Sequence, residues 1–472
     1  MNIFRIVIIF VAIFILSACA RVPTADKLSS TELQQLEIEA QIARKSFQLG
    51  NYDDATNHLL PLSKKQSINQ PLYQLELASV YLVTGEKENA HQVLLAAHHS
   101  IEGFFDVDLE QKAASLWGKE ADKVFKGEPY ERASLYFLLA LSFLEQNNPD
   151  NALAALKTGL LADADTEKKQ YKSDFGLLQL LAAKCYDIRG NPDLRDQMLN
   201  AAFASFISVT ATSHIYSDKL LATYAALKKQ QGQGQQLTGM VARLCSIASA
   251  QSIENWLRNN NVPPDTAIAV AKWSKKATAN INPLDYNALV VVWRGSSPQA
   301  LRSGQFGEIR LIQPGEIDTN ISYAAMVNSS EYKTYSGFGD INYQATTRGG
   351  REMDNVLKTQ ATVKNTSDIG GNALIATGAS GTGSSGADAA FLIGGLLLKA
   401  LAATTNPEAD IRYWHNLPAH FEIIPLKIPP HTNTLQLLKY NAENQLTEQT
   451  SVVLPDTGSI PFSTIHIHAL SN

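Results

Sequence analysis

A short pattern that occurs twice, 35 residues apart, constrains the fold of this chain more than any other feature. Leu49-Gly50-Asn51-Tyr52-Asp53-Asp54-Ala55 aligns with Thr84-Gly85-Glu86-Lys87-Glu88-Asn89-Ala90. Leu77-Ala78 and Tyr81 precede the second copy, and Leu94 and Ala97 follow it. A third copy reads Leu139-Ala140, Phe143, Asn147, Ala152, Leu156 and Gly159. A fourth reads Ala182-Ala183, Tyr186, Gly190, Leu199 and Ala202. The apolar spacing is that of helices, so each copy predicts two helices around a turn. Small residues such as Ala78 and Ala90 let the helices approach, and Tyr81 and Leu94 fill the groove between neighbours. Gly50, Gly85 and Gly190 fall where a first helix ends, where glycine most easily takes a left-handed backbone. One such pair cannot bury its own apolar face, so at least three must stack.

The succession of small, aromatic, turn and small positions resembles the tetratricopeptide consensus, whose unit is close to 34 residues. That resemblance implies an all-α solenoid over residues 31–280. Three departures mark it: the spacing stretches to 43 residues between the third and fourth copies, the consensus tryptophan is missing, and Gly103 to Pro129 is inserted. An irregular helical bundle is the competing arrangement. Within the span, Gly232-Gln233-Gly234-Gln235-Gln236 reads as a loop, and Val262-Pro263-Pro264-Asp265 as a helix start with proline in the first turn.

The N-terminus carries an address. Arg5 is followed by the apolar run Ile6–Leu16 and then by Ser17-Ala18-Cys19. A positive start, an apolar stretch and small residues describe a secretory signal. With the cysteine at the cut, Leu16-Ser17-Ala18-Cys19 resembles a bacterial lipobox. The resemblance implies a signal peptide over 1–18 and acylation of Cys19, with a diacylglyceryl group on sulfur and an acyl group on the amine. Two or three chains anchor stably, because each buried methylene contributes about 0.8 kcal/mol. Ala20 after the cysteine implies, by the same resemblance, the outer membrane, with the protein on its periplasmic face. An uncleaved membrane anchor is the alternative, but the apolar run is 11 residues, against about 20 for a span. Residues 19–30, polar and aperiodic with Pro23, read as a tether.

A chain of 472 residues exceeds one ordinary core, so two or more domains are expected. Charged residues make up 18% and the formal net charge is −5, with no basic block longer than an isolated pair such as Lys64-Lys65. That excludes the basic footprint of a nucleic-acid partner. Cys185 and Cys245 read as two buried thiols, with a disulfide as the alternative in an oxidising compartment.

Near Asn280–Pro283 the period changes, and residues 281–472 read as a β-rich domain. Strand patterns cover Leu289–Trp293, Glu308–Ile312, Ile321–Val327, Phe421–Ile424, Thr434–Leu438, Ser451–Leu454 and Thr464–His468. Residues 370–386 form a Gly-rich loop. Residues 387–404 predict an apolar helix, buried against the sheet or dipping into a membrane or partner. The expected fold class is therefore α+β and multidomain: a tetratricopeptide-like N-terminal solenoid, then a β-rich α+β domain.

Chemical motifs are sparse. Gly381-Thr382-Gly383-Ser384-Ser385-Gly386 fits G-x-G-x-x-G, but it lies in a low-complexity stretch outside any βαβ series, so no dinucleotide is expected. His466 and His468 share a strand face without a third ligand in view, and His98-His99 sit in a helix where neighbours face apart. No metal or cofactor is expected. Asp187, Arg189, Asp193 and Arg195 read as solvated helix-end charges. No nucleophile elbow, phosphate loop lysine or zinc-protease motif occurs, so an enzyme is not the expected reading.

Asp410-Ile411-Arg412-Tyr413-Trp414-His415-Asn416-Leu417-Pro418 and Pro429-Pro430-His431-Thr432-Asn433 are distinctive. With the lipobox and the repeats they resemble a family of bacterial envelope lipoproteins. Its pattern is Asp-x-Arg-x-Trp-x-x-Leu-Pro, a strand, a Pro-Pro-Gly-x-His turn and a final strand. Here His431 stands at the glycine and Asn433 at the histidine. The resemblance implies an envelope location and no particular reaction. Asp410 and Arg412 are expected on one strand face, with Trp414 over a core edge, all three structural. The function expected from these readings is a membrane-anchored periplasmic scaffold that binds another envelope protein through the concave face of its solenoid. The alternative is an envelope enzyme or ligand-binding lipoprotein with its site in the C-terminal domain near Trp414 or His466.

Overall fold

The computed structural model describes residues 28–102, 123–163, 175–212, 239–305, 308–334, 337–347, 408–454 and 462–469. The signal peptide, Cys19, most of the tether, the loop at 232–236, the G-x-G-x-x-G stretch and the apolar run at 387–404 lie outside them.

Helices fill the N-terminal part and sheets the C-terminal part, so the chain is a mixed α+β protein. Four helical hairpins come first: α1 (Ser30–Gln48) with α2 (Tyr52–Lys64), α3 (Gln70–Thr84) with α4 (Lys87–Glu102), α5 (Pro129–Glu145) with α6 (Pro149–Asp163), and α7 (Gly176–Ile188) with α8 (Pro192–Thr212). Ser29 starts α1 with a capping box: its hydroxyl accepts from the Glu32 amide at 3.3 Å, and the Glu32 carboxylate accepts from the Ser29 amide at 2.8 Å. The four hairpin turns each hold a left-handed residue, at Gly50 (φ 76°), Gly85 (φ 81°), Asn147 (φ 56°) and Gly190 (φ 66°). Ala55, Ala78, Ala90 and Ala152 are fully buried at the close approaches. Among the described residues three further helices follow, α9 (Gly239–Ile247), α10 (Ala250–Asn259) and α11 (Pro264–Ala277), the last opened by proline as expected.

The β part has three sheets. β1 (Ala288–Arg294) lies between β6 (His420–Leu426), antiparallel to it, and β9 (Ser463–Ala469), parallel to it. β2 (Gln299–Ser303) and β3 (Ile309–Gln313) form a two-stranded ribbon. β4 (Ser322–Val327), β5 (Ser330–Lys333), β7 (Thr434–Tyr440) and β8 (Leu446–Val453) form the third sheet, in the order β5-β4-β7-β8. A short helix, α12 (Ile341–Thr347), packs near β3 and β6.

Every residue of β1 is buried, because the strand is covered on both faces. Leu289, Val291 and Trp293 join the apolar core of the helices, together with Trp414, Phe421 and Ile423. Val290 and Val292 face the other way, onto Tyr323, Ala325, Leu435 and Leu437 of the third sheet. The molecule is thus layered as helices, sheet, sheet, and one core runs unbroken from the helices into the first sheet. Lys184 of α7 fastens the join, donating to the carbonyls of Leu284 (2.7 Å) and Tyr286 (2.8 Å) just before β1.

Candidate functional site

The first helices of the hairpins are the informative surface. Every residue from Pro71 to Leu82 of α3 is buried, as is every residue from Pro129 to Ser142 of α5. A helix buried on all sides has neighbours all round it. Second helices cover one side, while β9 packs across α3 and α5 on the other. The face expected to receive an outside partner is therefore occupied, among the described residues, by the chain's own C-terminal part.

Residues 408–419 complete the cover. They were expected to hold Asp410 and Arg412 on one strand face, but residues 408–414 belong to neither helix nor strand. Asp410 and Arg412 instead meet through a local turn. Asp410 Oδ1 accepts from both the amide and Nε of Arg412 at 2.9 Å, and Nη2 reaches Oδ2 at 2.6 Å. Burial opposes the charge on Asp410, but Arg412 outweighs it and holds the carboxyl below the usual aspartate value. The same guanidinium donates to Asn69 Oδ1 (2.8 Å) and to the Lys123 carbonyl (2.9 Å), and lies 5.8 Å from the Phe125 ring centroid. It ties the segment to two stretches of the helical layer.

Trp414 was expected to cover a core edge; it lies inside the core, with 0% of its surface exposed. Its amide donates to Glu131 of α5, and Nε1 donates to Ser79 Oγ of α3 at 2.9 Å. His415, stacked on Tyr413 at 3.9 Å, meets Glu76 Oε1 at 3.0 Å, and Asn416 Nδ2 donates to the Glu76 carbonyl at 3.2 Å. Glu76 is fully buried and also accepts from Arg44 Nε of α1 at 2.7 Å. Burial works against its charge, yet Arg44 and then His415 hold the carboxyl below the usual glutamate value. Arg310 of β3 pairs with Glu128 in the same interface. Two first helices thus present polar side chains to one extended segment: Glu76 and Ser79 from α3, and Glu131 from α5, with Arg44 of α1 behind Glu76.

The other candidates settle into packing. Trp293 Nε1 donates to His466 Nδ1 at 3.1 Å, and burial, with Lys87 nearby, pushes that imidazole down to about 3. His468 stacks on Phe47 at 4.4 Å, meets the Tyr52 hydroxyl at 3.1 Å, and is pushed down to about 4 by burial. Among the described residues no group of three His, Cys, Asp or Glu is placed to hold a metal ion. The rings of His98 and His99, expected to face apart, come within 5.1 Å, and His98 meets the Tyr136 hydroxyl at 3.2 Å. Cys185 and Cys245 are free and buried, and burial raises the thiols to about 12 and about 11. Arg195 pairs with Asp187 (3.4 Å) and Asp196 (2.8 Å), and Arg189 with Asp150 (3.2 Å). His431 takes φ 63°, a left-handed backbone that favours glycine.

Sequence reasoning missed Arg44, Glu76, Ser79 and Glu131. The signal was available: Glu76 interrupts Leu72-Tyr73-Gln74-Leu75 and Leu77-Ala78, and Glu131 opens a long apolar run. A carboxylate in a helix apolar on every side needs a partner from elsewhere. A cleft of about 280 Å³ lies between α1 and α2, lined by Glu32, Leu36, Glu39, His58 and Lys65, a set without Trp414 or His466. Compared with protein families, with curated proteins and with solved structures, the chain matches none.

Proposed function

We propose that the protein is a lipid-anchored lipoprotein of the bacterial cell envelope, held at the periplasmic face of the outer membrane through acylated Cys19. There it works as a protein-interaction scaffold rather than as an enzyme, with a tetratricopeptide-like solenoid as its recognition layer and another envelope protein as its partner. The observation that carries the scaffold reading is the grip of α3, the Asn69 that precedes it, and α5 on the extended segment Arg412–Asn416. Helices that recognise a length of irregular polypeptide by side-chain hydrogen bonds have the chemistry that partner recognition needs. The four left-handed hairpin turns and the buried alanines support the repeat reading. The lipobox residues Leu16-Ser17-Ala18-Cys19 support the address.

Crosslinking in intact cells, followed by identification of what is captured, tests the scaffold. One or a few envelope proteins enriched over a mock sample is the expected result, and no enrichment counts against it. Mass spectrometry of the mature protein tests the anchor. Cys19 carrying acyl chains is expected, and Cys19→Ala is expected to wash free of membranes without detergent. An unmodified thiol, or a variant that stays bound, removes the address.

A further inference from the structure

We infer that Asp410–Asn416 is a displaceable self-ligand: the groove of α3 and α5 accepts an extended polypeptide with Arg and Trp two residues apart, and the chain's own copy keeps it closed. The inference rests on the scaffold reading and names the ligand class of that same surface. Three observations carry it. The segment belongs to no helix or sheet, so its departure breaks no backbone ladder. Its anchors are the side chains of Arg412, Trp414 and His415, on Asn69, Ser79 and Glu76, and the Trp414 backbone amide, on Glu131.

The sheet has docking contacts of its own, although Ser297 Oγ also ties it to the segment through the Trp414 carbonyl at 2.8 Å. Glu145 accepts from the Thr464 amide at 2.8 Å, Lys87 donates to Ser463 Oγ at 3.1 Å, and His468 stacks on Phe47. The sheet therefore has contacts on the helices that do not depend on the segment. Finally, the closed groove is imperfectly matched. Arg44 Nη2, Glu76 Oε2, Tyr130 Oη and Asn416 Oδ1 are buried and meet no hydrogen-bond partner among the described residues, although buried polar atoms are normally paired. A covalently attached segment tolerates such a mismatch, because attachment gives it an effective concentration near the millimolar range.

The occupant is defined by what the groove offers. Glu76, Glu131, Ser79 and Asn69 supply acceptors, so an incoming segment must bring donors: an imidazole for Glu76, a free backbone amide for Glu131, an indole N–H for Ser79 and a guanidinium for Asn69. It comes from another protein at the membrane surface, and exchange of the segment between two copies of this chain is the rival outcome.

The probe is a fluorescein-labelled synthetic peptide of residues 408–418, read by anisotropy against the full mature chain. The wild type is compared with Arg412→Ala/Trp414→Ala, in which the self-ligand has lost both anchors. The double variant is expected to bind the peptide at least about tenfold more tightly than the wild type, because the competing internal segment is weakened. A scrambled peptide is expected to bind neither protein. Equal affinities for the two proteins, or equal binding of the scrambled peptide, would overturn the inference. So would a concentration-dependent dimer of the wild type that exchanges the segment and excludes the peptide. If the double variant loses its helical circular dichroism, Arg412→Ala alone is read, with a gain of about threefold expected and no gain counting against the inference. The assay needs no membrane, so its failure leaves the Cys19 anchor standing, and loss of the anchor leaves the peptide result untouched.

Discussion

Replacing Glu76 by Gln tests the central feature of the interface. The Glu76 carboxylate has 0% exposure and two partners, Arg44 Nε at 2.7 Å and His415 Nδ1 at 3.0 Å. Two unit charges about 4 Å apart, at an effective dielectric near 20, attract by about 4 kcal/mol. Removing one partner of a buried pair costs about 3–5 kcal/mol, because the remaining charge stays buried without compensation. Arg44 keeps one further contact, with Glu37 at 2.5 Å, which places the expected loss near the lower end, at about 3 kcal/mol. The assay is urea denaturation followed by tryptophan fluorescence, with the shift in midpoint multiplied by the slope. Trp414 reports from the same interface. The double variant Arg44→Met/Glu76→Met is expected within about 1 kcal/mol of the wild type, since replacing a whole buried pair by apolar side chains is often neutral. The sign with pH follows from the depressed Glu76 value. Its contribution is present above the ordinary value of 4.5 and is lost as the pH falls through the folded value. A loss below about 1 kcal/mol for Glu76→Gln, the level of a surface pair, would refute the reasoning. So would a double variant no more stable than the single one.

Three more outcomes follow from other contacts. His468 is pushed down to about 4 from 6.5, so the unfolded chain takes up the proton first and stability falls as the pH drops from about 6.5 to about 4. His468→Phe is expected to flatten that slope by up to about 3 kcal/mol over the interval, and parallel profiles in urea melts would count against it. Gly159→Ala places a methyl 2.9 Å from Tyr136 Cβ and 3.2 Å from both Leu178 methyls. Overpacking is expected to outweigh the helix-propensity gain, for a net loss of about 1–2 kcal/mol; a raised melting temperature would contradict it. A fragment ending at residue 280 uncovers the buried outer side of α3 and α5, so it is expected to self-associate and to bind a hydrophobic dye, and a monodisperse, dye-silent fragment would show that the helical layer stands alone.

The helical hairpins were legible because their signals are local. Gly50, Gly85, Asn147 and Gly190 mark turns whose left-handed backbones need glycine or asparagine, and Ala78 and Ala90 mark close approaches. The strands were legible for the same reason; Leu289–Trp293 and Phe421–Ile424 sit within β1 and β6. The docking of one half on the other was not. Glu76 and His415 are 339 residues apart, and Glu131 and Trp414 are 283 apart. No periodicity within a window relates such positions. The Asp410-x-Arg412-x-Trp414 pattern was visible and was read as structural. Its strand assignment failed because alternating polar and apolar residues also describe an extended segment threaded between helices, with Arg412 and Trp414 each reaching different helical residues.

The composition of the interface carries a consequence of its own. Had the helical layer evolved only to support the sheet, apolar side chains at positions 44, 76 and 131 would serve at least as well, since a buried ion pair is weak evidence for stability. Instead Glu76 and Glu131, each already holding one contact within the helical layer, from Arg44 Nε and from the Glu128 amide, present a further acceptor to the donors of the segment. Such groups favour a segment with donors at the right spacing, because one without them takes an acceptor out of water and leaves that contact unmade. The selectivity comes from the helices, and the bound segment meets it with Arg412, Trp414 and His415. A surface that discriminates among extended chains is more than a permanent contact requires, and it is what a groove that exchanges occupants needs.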